Sequence, residues 1–130
     1  MRANSVDWSD LLGVPYKPHG RTLAGMDCYG LLMDFEGRFG RTIIDFDYSA
    51  KDYRGKEDYP VWLESMKHWE ETDTPKYTDA LLFFDEKKRV VHAAACVAPN
   101  RILHCDVKGA RVERLDTFYY QNWKAYKWRQ

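Results

Sequence analysis

The stretch Val90-Val91-His92-Ala93-Ala94-Ala95-Cys96-Val97-Ala98-Pro99-Asn100-Arg101-Ile102-Leu103-His104 decides the fold. Two runs of β-branched and small apolar residues flank Pro99-Asn100, a pair that interrupts regular structure and reverses the chain, so the segment predicts a β-hairpin. Side chains alternate along a strand with a period of two. His92 and His104 therefore share a face only if the connection holds an odd number of residues, and a three-residue loop within Ala98-Pro99-Asn100-Arg101, closed by Asn100 in a left-handed conformation, meets that condition. The two imidazoles then project together from neighbouring strands toward Cys28. Cys105, next to His104, points to the opposite face, and Cys96 shares the His92 face further along. A two-residue loop at Pro99-Asn100 places the histidines on opposite faces.

Outward from the hairpin, Ala80–Phe84, Ile102–Val107 and Arg111–Leu115 are further β-prone runs, separated by Asp85-Glu86-Lys87-Lys88 and Lys108-Gly109-Ala110, and together they predict an antiparallel meander. The aromatic and basic run from Phe118 to Trp128 adds a helical turn and a last strand. It either closes the core of the sheet or serves as a docking surface. Upstream the period becomes helical: Leu31, Leu32, Phe35 and Phe39 follow Cys28 at helix spacing, Asp27 is a candidate N-cap and Gly40 a stop. Ser5 to Leu12 reads as a short capped helix, Ile43 to Phe46 as a short strand, and Pro60 starts a second helix carrying Trp62, Met66 and Trp69 on one face. The expected fold is α+β, N-terminal helices packed on a twisted antiparallel β-sheet, in a single domain spanning 1–130.

Composition narrows the function. Twenty basic residues balance twenty acidic ones, so no global field draws the chain to nucleic acid or to an anionic membrane. No run approaches the roughly 20 apolar residues of a membrane span, and the N-terminus has no apolar signal core. The expectation is a protein made in the cytoplasm without a signal peptide. Three cysteines cannot all pair, and a chain that is 45% hydrophobic needs no disulfide staples, so free thiols are expected.

Cys28, where a turn feeds a helix start, is the candidate nucleophile, because the positive end of a helix favours a thiolate. Thiol hydrolysis also needs an imidazole to handle the proton and a third group to orient that imidazole. His92 and His104 are the candidates for these two groups. Cys96 and Cys105 read as core thiols. A zinc site is set aside, since His104 and Cys105 are strand neighbours and cannot both turn to one tetrahedral ion, and no cofactor is implied. The backbone amide of Cys28 is the candidate oxyanion donor.

These blocks, in order, resemble the NlpC-type papain-like cysteine peptidases that cut bacterial peptidoglycan, in their phage-tail branch. Val14-Pro15-Tyr16-Lys17 with Gly20 is similar to the family's opening segment, Asp27-Cys28-Tyr29-Gly30-Leu31 to its nucleophile motif, Asp79 to Phe84 to the strand before the catalytic histidine, and His92 to His104 to its histidine spacing. The likeness covers roughly residues 12–115. Tyr29 stands where the family commonly has Ser, and Thr78 where it commonly has Gly. The resemblance implies a papain-like peptidase with catalytic Cys28, His92 and His104. It also implies substrate contacts at Tyr16, Asp27 and Tyr29, Asp27 meeting the free amino end of a stem peptide. The implied partners are a peptidoglycan peptide and other phage tail proteins, with the chain carried in a virion tail or tail-like particle. An amidase or acyl transferase would use the same three residues, and a structural tail or tail-assembly protein would keep the fold without turnover.

Overall fold

The computed structural model describes residues 6–45 and 67–129. It opens with a single 3-10 turn, Ser9–Leu11, whose entry is fixed by the Asp7 carboxylate accepting from the Ser9 amide at 2.9 Å and the Ser9 hydroxyl at 2.7 Å. The short N-terminal helix expected here is thus three residues long, cut off by Gly13 in a left-handed conformation at φ 84°. A two-stranded ribbon follows, β1 (Arg21–Thr22) against β2 (Gly25–Met26), and then α1 (Cys28–Arg38). Leu31, Leu32 and Phe35 form its buried side, as their spacing predicts, and Gly40 at φ 79° ends the segment. Among the described residues α1 is the only α-helix, so the plural helices of the sequence reading reduce to one. Trp69 lies not on a helix but at the start of a strand. Pro60, Trp62, Met66 and Phe46 lie outside the described residues, and Ile43 to Asp45 forms no strand.

The remainder is one antiparallel sheet: β3 (Trp69–Thr72), β4 (Ala80–Phe84), β5 (Val90–Ala98), β6 (Arg101–Asp106), β7 (Gly109–Arg114) and β8 (Trp123–Trp128). The four central runs form the meander that their alternation predicts. The last strand returns to lie between β3 and β4, giving the order β3-β8-β4-β5-β6-β7. Trp123–Trp128 is therefore an interior strand, and Ala125 and Phe118 are buried with it. That placement answers what this aromatic run does: it closes the sheet.

Alternation gives the sheet two unlike faces. Ala80, Leu82, Ala93, Ala95, Leu103 and Cys105 pack under Leu31, Leu32 and Phe35 of α1. On the other face Leu81, Phe83, Ala94, Cys96 and Ile102 pack with Phe118 and Leu115. Small residues on β5 let the helix approach the strand closely, and each fully buried Leu or Phe there contributes about 1.5–3 kcal/mol. No described helix is long and apolar enough to cross a membrane.

Candidate active site

Residues 15–27 wrap the start of α1. Asp27 caps it, its carboxylate accepting from the Gly30 amide at 2.8 Å, and the same side chain accepts from the His19 amide at 2.9 Å and from Arg21 at 3.0 Å. Gly30 makes this possible. A Cβ there would lie 2.1 Å from the Gly20 carbonyl oxygen, so any side chain would push the loop off the helix. Arg21 also reaches Asp45 at 3.0 Å and lies 5.7 Å from the Tyr29 ring centroid. The candidate substrate residues divide. Tyr16, bridged to Met26, stays 39% exposed, and its hydroxyl is held above its ordinary pKa by burial and then by neighbouring Asp27 and Cys28. Asp27 is buried, and Tyr29 is buried too, with its hydroxyl donated to the Ile44 carbonyl.

Cys28 is the first helical residue and half-buried. At that position its amide has no acceptor within the helix, as an oxyanion donor requires. Burial, then the adjoining Asp27 carboxylate, push the thiol up to about 12, while hydrogen bonding to the backbone at Ala93 and Tyr29 pulls the other way. The helix end alone favours a thiolate, but desolvation outweighs it here, so the resting group is a neutral thiol.

His92 and His104 lie on the face opposite the helix and meet at 2.9 Å, Nε2 of His92 to Nδ1 of His104. They do so by a route the sequence reading did not foresee. The connection is the two-residue Pro99-Asn100, with Ala98 paired to Arg101, and yet the histidines share a face. Ala95 pairs with Leu103 and Cys96 with Ile102, so Val97 is an extra, bulged residue that restores the odd count. Proline fixes φ near −65° and Asn100 takes φ 60°, the signs of a type II turn, whose twist does not match paired strands; the bulge absorbs the mismatch.

Burial pulls His92 down to about 3, and it also lowers His104 against the opposing pull of Glu113. Both rings are neutral at rest. Phe83, Phe118 and Tyr120 lie within 6 Å of the His92 ring centroid and Phe118 within 4.7 Å of that of His104. Beyond them stands a residue absent from the sequence reading: the Glu113 carboxylate, 2.7 Å from His104 Nε2. In sequence Glu113 is one charged residue in an alternating, half-exposed strand, which looks like a solvated face. Only its diagonal position across β6 and β7 reveals it.

Cys28, Tyr16 and Asp27 are thus brought together at the helix start, and His92, His104 and Glu113 across the hairpin. The imidazoles point away from the helix side rather than toward Cys28 as expected, because His92 and His104 alternate with the helix-facing Ala93 and Leu103, and among the described residues no hydrogen bond joins the Cys28 thiol to either of them. The two groups meet through β5 itself, since the thiol reaches the backbone at Ala93, the residue after His92. Cys105 turns to the helix side, its thiol 3.2 Å from the Met26 carbonyl.

No protein-family model matches the chain, and no curated protein sequence matches it. The fold is that of solved NlpC/P60 structures. An NlpC/P60 family protein from Bacillus cereus ATCC 10987 superposes with a TM-score of 0.71 at 19% identity, over 100% of this chain and 40% of that one. A lipoprotein-like NLP/P60 family protein from Staphylococcus aureus subsp. aureus Mu50 gives 0.68 at 19%, over 98% and 42%. The NlpC/p60 domain of the peptidoglycan hydrolase SagA gives 0.63 at 19%, over 94% and 93%. The chain therefore spans about two-fifths of the length of the first two and nearly all of the third.

Proposed function

We propose that the chain is a cysteine endopeptidase that hydrolyses an amide bond in peptidoglycan stem peptides, with Cys28 as nucleophile, His92 as base and His104 as its orienter. The observation that carries this reading is the thiol of a helix-start cysteine set against β5 at Ala93, one residue from an imidazole whose Nε2 is already held by a second histidine. His92 Nδ1 has no hydrogen bond among the described residues, and to take the thiol proton it must come round from the opposite face of β5. In the reaction Cys28 Sγ attacks the carbonyl carbon as its proton passes to His92. The oxyanion meets the Cys28 amide, and His92 returns the proton to the leaving amine, leaving a thioester that water cleaves by the reverse transfers. Because thiol and imidazole are both neutral at rest, the proton moves with the attack rather than before it. Tyr16, exposed near the thiol, is the side chain a peptide would meet first, while Asp27 lies buried behind it and Tyr29 underlies Arg21 at their edge.

The sequence likeness to the phage-tail branch supports a finer reading: cleavage between D-glutamate and a diamino acid, by a protein carried in a tail or tail-like particle. Mass spectrometry of a purified peptidoglycan digest tests the proposal. New fragments with a free diamino-acid amine, absent with Cys28→Ala, are expected. Release of whole stem peptides from the glycan would make the protein an amidase, and no release at all would overturn the peptidase reading.

A further inference from the structure

Glu113 and the side chains around it belong to no motif of the sequence, yet they close a continuous polar path onto the histidine pair. Glu113 Oε2 lies 2.7 Å from His104 Nε2 and 2.7 Å from Arg111 Nη2. Arg111 is gripped in turn by Asp106, at 2.6 and 2.9 Å, and Asp106 also accepts from the Tyr119 hydroxyl at 2.8 Å. That grip holds Asp106 well below the usual carboxylate range, so Arg111 is fixed between two carboxylates on one side of the sheet edge.

An ionised carboxylate can only accept a hydrogen bond. His104 must then carry its proton on Nε2, and a neutral ring has one proton, so His104 Nδ1 is an acceptor. His92 Nε2, 2.9 Å away, must in turn be the donor. Its single proton is thereby placed, and Nδ1 of His92 is left with a lone pair. The direction of every step follows from the last acceptor in the line, because each ring passes on the polarity it receives. We infer that Glu113, held by Arg111, is a positioning residue that sets the tautomers of both histidines and so makes His92 Nδ1 the basic nitrogen. This rests on the peptidase reading only for its catalytic meaning; the tautomers exist whether or not the chain hydrolyses anything.

The test uses the full chain labelled with 15N-histidine, in which protonated and unprotonated ring nitrogens have separate shifts. At pH 7.5, His92 and His104 are both expected with hydrogen on Nε2. Glu113→Ala should turn His104, and His92 through it, into an exchange average of two tautomers. Where the wild type hydrolyses peptidoglycan, kcat should fall about 10- to 100-fold with KM little changed. Glu113→Gln, whose carboxamide can accept or donate, should fall between and serves if the Ala variant fails to fold. Hydrogen on Nδ1 of His104 in the wild type, or ring shifts unchanged in Glu113→Ala and Glu113→Gln, would overturn the inference. A wild type without hydrolysis removes the peptidase reading and leaves the ring shifts to decide the role of Glu113.

Discussion

The two faces of strands β5 and β6 are built from the same alternating chain and do opposite work. On the helix face the side chains shrink to Ala93 and Ala95, and the interactions are close and apolar. On the other face the side chains are aromatic rings and a line of hydrogen-bonded titratable groups, from His92 through His104 to Glu113 and Arg111. The difference teaches where reactivity is stored. In the proposed mechanism one face carries the thiol and the other the imidazole, so the two must work together across a single strand.

The largest effect comes from removing one reactive group on each side. Cys28→Ala and His92→Ala should each lower peptidoglycan hydrolysis by about 10⁴-fold or more, and the double variant by no more than the worse single one, since the two act as a unit. His104→Ala should cost less. Single variants whose losses multiply in the double would break the link between the faces. On the helix face alone, Ala95→Leu should destabilise the fold by roughly 1–3 kcal/mol, because a larger side chain at this fully buried position must push α1 away. Urea midpoints measure this, and an unchanged midpoint would show that the helix does not sit as closely as its small neighbours imply.

The histidine face should instead answer to acid. His92 is held near 3 in the fold, below its ordinary value of 6.5, and His104 is lowered too, so as pH falls below 6.5 the unfolded chain takes up protons that the native state refuses. The sign is a loss of stability between about pH 6.5 and 3, approaching about 1.4 kcal/mol per pH unit for His92, with a further loss of the same sign from His104. Buried Glu36, pushed up to about 8, acts in the opposite sense over this range, so thermal unfolding at pH 7.5, 5.5 and 4.5 is read in a Glu36→Gln background, where a flat Tm would break the assignment of neutral imidazoles. The smallest effect lies just before β4. Thr78 holds φ 77°, a conformation that a β-branched residue adopts only under strain. Thr78→Gly should raise stability by about 1 kcal/mol net of the bond its hydroxyl receives from Arg41. A lower Tm would mean that bond outweighs the strain.

That last residue also shows how much could be read in advance. The Gly that the resembling family places there fits the left-handed backbone, but a sequence gives no dihedral angle. Strong periodicity was legible: α1 and the four central strands follow from Leu31, Leu32 and Phe35 and from the alternation after Ala80. So was the pairing of His92 with His104 on one face, although the loop length that led to it was wrong, because one bulged residue in a strand counts the same as one residue in a loop. The strand at Trp69 was not legible and was read as helix, since one aromatic every three or four residues over a short window fits a strand edge as well. Glu113 was invisible for a different reason. Its meaning lies in a neighbour nine positions away, brought there only by the turn between β6 and β7.

The Val97 bulge gives the hairpin an arithmetic that a gene would feel. Losing one codon between His92 and His104, or gaining one, slips the parity and exchanges two adjacent residues: Cys105 swings to the imidazole side and His104 is driven under the helix, into a space lined by Ala95 and Leu103. Changing the count by two leaves the sides as they were. A library of insertions and deletions across this segment should therefore show tolerance that alternates with odd and even length.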